Sequence, residues 1–480
     1  MKRWLKLELL CLALLILICG TLIAQNITKK IETDTAEESD ELYILDYDAL
    51  SELQWCHAGE TVSLSLDEEG WHYEEDSLLP LNTVQAERLA SAVSEIVAVK
   101  TIDTPEDLSI YGLDDPVCTI TVTAGEETTF CLGDVKSKDG YCYLSVGDGK
   151  VYMVDSALAD SFSCGLYDLV LKESIPIMTN VSSMRVKSEV QSYEIDHIEN
   201  SGIAYTDQYE WFLKDGNSYL VLDNSLAVSF IDKVRILGWQ SCADYKATEN
   251  TLSSYGFDSP SVTVEIDYSL ETTEATDILA SDGYPIYETL EHGETFILEI
   301  GNYTGSGECY ARLADSSLIY TIDASLCDAL LYMNYADLQP LDVILLDENE
   351  IESVTVTFNG GIHVFEKDTI INENKDGETI AETLWLSDGE EADFSDVLYD
   401  LLHMYASESA GGEEPKRSAE ISFVFSRSNS LHPETELIFY PYDSSSCLVT
   451  LDGCSTVFVY RYYVTEIIEK IQQILLNPVE

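Results

Sequence analysis

Two stretches of the chain, Tyr111-Gly112-Leu113-Asp114-Asp115-Pro116 and Tyr255-Gly256-Phe257-Asp258-Ser259-Pro260, spell one turn twice, and each launches alternating, strand-like sequence. A repeated turn of this kind points to duplicated scaffold, because both copies need the same backbone geometry and neither needs a reactive group there. Gly112 and Gly256 suit a conformation that costs other residues free energy, while Pro116 and Pro260 set the entry angle of the next strand. Asp114 and Asp258 can accept hydrogen bonds from turn amides. As metal ligands they lack the further carboxylates that an ion requires.

Reading outward from the turns gives three copies of a module. Module 1 (51–175) reads as a strand at Thr61–Leu66, a turn at Gly70, a strand opened by Trp71, and a helix from Thr83 to Val97. In that helix Ala86, Leu89, Val93 and Ile96 recur at helical spacing, with Asn82 or Thr83 as N-cap. Cys118–Thr123, Thr129–Leu132, Tyr141–Val146 and Val151–Val154 then form an antiparallel meander, and Asp155 or Ser156 caps a short helix. Module 2 (176–340) repeats this order through Trp211, Ala227, Phe230, Val234 and Leu237, with an inserted loop at 268–294 that carries Tyr284 and Tyr287. Module 3 (341–480) diverges: Trp385, Phe394, Leu398, Leu401 and Tyr405 keep the plan, but Gly411-Gly412 and Pro415 stand where the Tyr-Gly turn should be. Its last helix, with Val464, Ile467 and Ile471 in an apolar stripe, should cover the final sheet. Trp71, Trp211 and Trp385 fill a recurrent core gap.

The N-terminus suggests an address. Lys2, Arg3 and Lys6 precede an uncharged run from Leu9 to Ala24. As a helix this run would extend about 24 Å, close to a bilayer's apolar thickness. Basic residues before the run and acidic ones after it place the N-terminus in the cytoplasm and the bulk outside. Cleavage and lipidation compete with an uncleaved anchor, but Leu22 fits a signal-peptidase site poorly and Ile18 before Cys19 fits lipoprotein processing poorly. The expected organisation is a stub and anchor at 1–24, a linker at 25–50, and the three modules. The expected fold class is α+β: tandem modules of mostly antiparallel sheet with packed helices, preceded by one transmembrane helix.

Charge narrows the partners. Against 25 basic residues stand 88 acidic ones, a net charge of -63. Nucleic acid and anionic lipid surfaces both bind through clustered Lys and Arg, so neither suits the folded part. Cys142, Cys309 and Cys447 fall at similar places in successive copies, where a small buried hydrophobe explains them more simply than disulfides do.

The Tyr-Gly-Leu-Asp-x-Pro turn, the Gly70-Trp71 strand start, the Leu132-Gly133 ending and the Val151–Asp155 segment resemble the bacterial domain-of-unknown-function 4340 family. The likeness covers Trp55 to Pro340 well and the remainder weakly. It implies a membrane-anchored extracytoplasmic protein, often encoded beside ABC transporter subunits, and hence an auxiliary role with permease partners. It supplies no catalytic residues.

The chain itself offers no catalytic signature. The seven histidines are scattered, with no His-Glu-x-x-His and no paired zinc spacing. No Gly-x-Ser-x-Gly elbow or phosphate-binding loop is present. Carboxylate pairs such as Glu74-Glu75 and Glu390-Glu391 follow from composition. The expectation is a non-catalytic, cofactor-free, membrane-tethered accessory or binding component of an envelope transport complex. A secreted hydrolase with an acidic site between modules and a cation-dependent adhesive binder are the alternatives.

Overall fold

The structure, a computed structural model, describes residues 42–47, 49–136, 138–201, 208–279, 285–344, 346–373, 379–429 and 432–476. They form two compact units, divided in the chain between Lys172 and Glu173.

The first unit contains β1 (Leu42–Asp46), β2 (Glu52–His57), β3 (Glu60–Asp67), β4 (Gly70–Tyr73), α1 (Thr83–Ser94), β5 (Glu95–Ala98), β6 (Lys100–Ile102), β7 (Cys118–Ala124), β8 (Glu126–Lys136), β9 (Tyr141–Ser145), β10 (Val151–Asp155) and α2 (Ala157–Ser161). Its main sheet has the order β4-β3-β2-β7-β8-β9-β10-β6, while β1 and β5 pair separately. Period-two patterning explains the layering: in β7, Cys118, Ile120 and Val122 are buried, and the threonines between them face outward. On that outer face Thr121 and Thr129 share a 2.9 Å hydroxyl hydrogen bond. The Asn82 side chain caps α1 by accepting from the Gln85 amide. The helix stops at Ser94, short of the expected Val97, because Ile96 and Val97 join a strand that pairs with β1.

The second unit holds two sheets. The first of these uses β11 (Asn180–Ser188), β12 (Ser192–His197), β13 (Trp211–Asp215), β14 (Ser218–Val221), α3 (Asn224–Arg235), β15 (Cys242–Asp244), α4 (Glu249–Tyr255), β16 (Val262–Leu279), β17 (Pro285–Tyr303), β18 (Glu308–Leu313), β19 (Ile319–Asp323) and α5 (Ala324–Leu331). The second uses β20 (Ile351–Phe358), β21 (Gly361–Glu373), β22 (Thr379–Ser387), β23 (Glu390–Ala392), α6 (Ser395–Leu402), β24 (Glu408–Ser409), β25 (Ile421–Arg427), β26 (Glu434–Pro441), β27 (Ser446–Leu451), β28 (Cys454–Tyr460) and α7 (Arg461–Leu476). Their orders are β14-β13-β12-β11-β16-β17-β18-β19-β15 and β23-β22-β21-β20-β25-β26-β27-β28-β24.

All three main sheets follow one path. The chain lays down a meander, crosses with a helix, places a short strand at the far edge, and returns to the centre. A second meander then runs out to meet that edge strand, and a second helix follows. Trp71, Trp211 and Trp385 lie on the corresponding strand of each sheet, opposite Leu66, His197 and Lys367, and all three are buried. The segment at 268–294, expected as a loop, continues the β16–β17 ladder as far as Leu279↔Pro285. Its alternating Thr, Glu and Tyr residues favour a paired ribbon. Tyr284 lies outside the described residues.

The expected transmembrane helix requires correction. Among the described residues no helix is long and apolar enough to cross a membrane. The longest, α7, has 16 residues; it buries Val464, Ile467 and Ile471 on one side and carries Glu466, Glu469 and Lys470 elsewhere, an amphipathic pattern that suits a sheet-covering helix. The run from Leu9 to Ala24 lies outside the described residues. The supported fold is therefore α+β, with tandem antiparallel sheet modules and packed helices. The membrane partnership, the single-pass extracytoplasmic localisation, and the transport role with permease subunits lose their structural support with the helix.

Candidate functional site

The repeated turn is a joint between a helix end and a strand. Gly112 ends a 3-10 turn (Leu108–Tyr111) at φ 67°, and Gly256 ends α4 at φ 88°, both left-handed. Each joint is closed by backbone hydrogen bonds, from Leu113 N–H to the Leu108 carbonyl at 3.1 Å and from Phe257 N–H to the Leu252 carbonyl at 3.0 Å. The side chains of Asp114 and Asp258 are not what closes it; both residues are exposed, and Pro116 and Pro260 are half-buried just before β7 and β16.

What the turn docks against comes from a distant strand. A Cβ on Gly112 would lie 2.5 Å from Asp134 Oδ1, and one on Gly256 would lie 2.6 Å from Asn302 Oδ1. Reciprocally, a Cβ on Gly133 would meet the Tyr111 carbonyl at 2.2 Å, and one on Gly301 the Tyr255 carbonyl at 2.1 Å. The strand ladder shifts register at the docking point, between Leu132 and Val135 and between Ile300 and Tyr303. A tyrosine pair flanks each joint edge-to-face, Tyr111–Tyr143 and Tyr255–Tyr310, both at 4.9 Å between centroids. Eight turn residues were readable as a motif, but these joints are made of interlocked backbone and offer no reactive group.

The third sheet lacks the joint on both sides. Ile421 pairs with Phe439 where Cys118 pairs with Leu132 and Val262 with Ile300, so Tyr440-Pro441 stands in place of Gly133-Asp134 and Gly301-Asn302. There the β26–β27 ladder runs through Tyr440 and Pro441 without a shift.

Concave surface recurs instead along the seam between the crossing helix of each sheet and the helix that follows its last strand. The α1–α2 seam holds a hollow of ≈ 230 Å³ lined by Ile96 and Leu158 with Glu95 and Asp155. The seam of α3 with α5 and the residues after it holds ≈ 300 Å³, lined by Phe230, Lys233, Tyr332 and Asp337 among others. The α6–α7 seam holds ≈ 250 Å³ and is the richest in functional groups: Tyr399, Asp400, His403, Tyr405, Tyr463 and Glu466.

Helical spacing builds this third seam. In α6, Val397, Leu398 and Leu401 go into the core, which turns Tyr399, Asp400 and the following His403 outward. In α7, burial of Val464, Ile467 and Ile471 places Tyr463, Glu466 and Lys470 along one flank. Tyr399 and Tyr405 are 62% and 67% exposed. His403 stacks on Tyr399 at 4.0 Å between centroids, and its Nδ1 donates to the Tyr399 carbonyl at 2.9 Å, leaving Nε2 as the other ring nitrogen. Tyr462 lies 4.1 Å from Tyr463 and stacks with Tyr460, which extends the aromatic row. Hydrogen bonding to Tyr463 pushes the Tyr462 phenol up to about 12. Lys470 pairs with Asp400; that hydrogen bond, with the charges of Asp400, Asp396 and Glu466, raises its pKa. Three carboxylates thus surround one resident cation.

Cations on the outer face of the second sheet are already engaged. Arg185 bridges Glu265 at 3.1 Å and Asp267 at 2.8 Å, Lys187 reaches Glu265 at 2.8 Å, and Arg312 reaches Glu299 at 2.7 Å. Such cross-strand pairs stabilise a half-solvated sheet. Among the described residues no group of three or more His, Cys, Asp or Glu is placed to hold a metal ion.

A protein-family profile described as "Domain of unknown function (DUF4340)" matches residues 71–219 and 222–419. No curated protein and no solved structure matches the chain.

Proposed function

The chain belongs to the DUF4340 family, and we propose that it works as a non-catalytic docking protein whose α6–α7 seam receives a basic polypeptide segment. The observation that carries this reading is the combination, in one hollow, of exposed tyrosine faces with Asp400 and Glu466, beside a single lysine, Lys470, that pairs with Asp400. An arginine or lysine side chain gains from an aromatic face through its quadrupole and from a carboxylate through charge-assisted hydrogen bonds. The net charge of -63 draws such a segment in at long range.

The other two seams lack the combination. The first has Glu95 and Asp155 but no ring in its lining, and the second sets Tyr332 beside a single carboxylate, Asp337, with a lysine, Lys233, in the lining itself. No Ser, Thr or Cys nucleophile lines the seam, and the imidazole Nδ1 of His403 is spent on a backbone carbonyl.

Calorimetric titration of the full chain with an Arg- and Lys-rich peptide tests the proposal, with a peptide of acetylated lysines and citrullines as the neutral counterpart. The charged peptide binds and the neutral one does not, and added salt weakens the complex. Tyr399→Ala loses about tenfold in affinity and Glu466→Gln somewhat less. Equal binding of both peptides, or unchanged affinity in both variants, overturns the reading.

A further inference from the structure

Each sheet carries a buried cysteine at one ladder position: Cys142 opposite Val154, Cys309 opposite Ile322, and Cys447 opposite Val459. The neighbours of these thiols differ. The Cys142 thiol donates to the Asp155 carbonyl at 3.6 Å, and the Cys447 thiol to Glu420 Oε2 at 3.8 Å. Four residues past the end of the last meander strand, the following helix offers Ala159 in the first sheet, Val464 in the third, and Cys327 in the second. Only in the second sheet is that helix position a second cysteine.

The surroundings make a compact polar cluster within an apolar core. Cys309 and Cys327 are both 0% exposed and belong to one apolar core cluster, on a strand and a helix that pack against each other. Tyr303 lies opposite Cys309 in the β17–β18 ladder, and its hydroxyl donates to Asp328 Oδ1 at 2.7 Å, one residue beyond Cys327. We propose that Cys309 and Cys327 are a redox-active dithiol whose oxidation ties α5 to β18. Because Ala329 of α5 and the following Tyr332 and Met333 line the second seam, the link clamps one wall of that hollow.

The chemistry is exchange with a low-molecular-weight disulfide such as oxidised glutathione. The Cys327 thiolate attacks one glutathione sulfur, forms a mixed disulfide and expels a glutathione thiolate. The Cys309 thiolate then attacks the Cys327 sulfur and expels the second glutathione. Two electrons pass from the cysteine pair to glutathione, and the two cysteine protons end on the two glutathione thiols. Cys327 is the better first nucleophile: the neighbouring Cys309 holds its thiol down at about 7, while the neighbouring Cys327, joined by burial, raises Cys309. Both sulfurs are enclosed, so exchange proceeds while the chain folds or through local opening.

The test is to refold the full chain in a reduced and oxidised glutathione buffer, then map its peptides without reduction. The expected product joins the peptides of Cys309 and Cys327, with Cys142 and Cys447 still open to alkylation after unfolding. Cys309→Ser leaves glutathione on Cys327. Cys327→Ala, which copies the residue of the first sheet, abolishes the link and removes the rise in Tm that oxidation gives the unaltered chain. Free thiols at both positions while the exposed Cys454 carries glutathione, or links from either to another cysteine, overturn the proposal.

Discussion

The second and third sheets share a strand order yet fasten their returning strands differently. In the second, Tyr255-Gly256 locks against Gly301-Asn302, and the ladder gives way by a register shift to admit it. In the third, the turn and its receiving glycine are both absent. Fastening there relies more on rings: on the returning strand β25, Phe423 stacks with Phe425 and meets Phe439 of β26 edge-to-face at 6.1 Å between centroids, all three buried. The topology therefore does not depend on the glycine joint. It depends on the period-two pattern of the strands and the apolar stripes of the helices, and the joint is a local device that is kept or lost as a pair.

The largest expected effect comes from striking the aromatic fastening. Phe423→Ala costs about 4 kcal/mol through lost burial and a residual cavity, read as a lower denaturation midpoint. Next comes the glycine joint: Gly301→Ala costs about 3 kcal/mol because its Cβ meets backbone, which cannot swing aside. Gly133→Ala should cost as much in the first unit. A Gly133 variant that melts like the unaltered chain would break the equivalence between the two joints.

Much of this plan was legible in the sequence. The paired turns, the three tryptophans on corresponding strands and the Asn82 cap all followed from local pattern. The far-edge strands did not, since Lys100–Ile102, Cys242–Asp244 and Glu408–Ser409 are too short to display a period. The opening strand Glu52–His57 was missed although Ala58-Gly59 turns the chain directly after it, with positive φ at both residues. The α6–α7 seam was illegible because it joins Tyr399 to Tyr463 across the whole second meander. Cys327 was hidden by the recurrence of its partner: three cysteines in register drew the reading toward packing, and the fourth sits on a helix.

The smallest effect sharpens the comparison electrostatically. Glu265 and Asp267 have lowered pKa values, caused first by hydrogen bonds from Lys187 and Arg185 respectively. The folded state then binds fewer protons than the unfolded chain, so this stabilisation is fully present above the ordinary carboxylate range near ~4 and is lost as pH falls through the lowered folded values. Arg185→Gln should cost about 1 kcal/mol at neutral pH and almost nothing in strong acid. A cost that persists unchanged to low pH would assign Arg185 to packing instead.

The family segments are cyclically offset from the sheets. Residues 71–219 begin on β4 and end on β14, and residues 222–419 begin just before α3 and end just before β25. Each segment thus closes one sheet and opens the next, like a brick laid across a joint, so two segments yield three sheets once flanking chain supplies β2 and β3 at one end and β25 to β28 at the other. Excising one segment alone would leave two half-sheets with raw edges. Splicing in another copy, by contrast, would lengthen the protein by one whole sheet and leave no half-sheet.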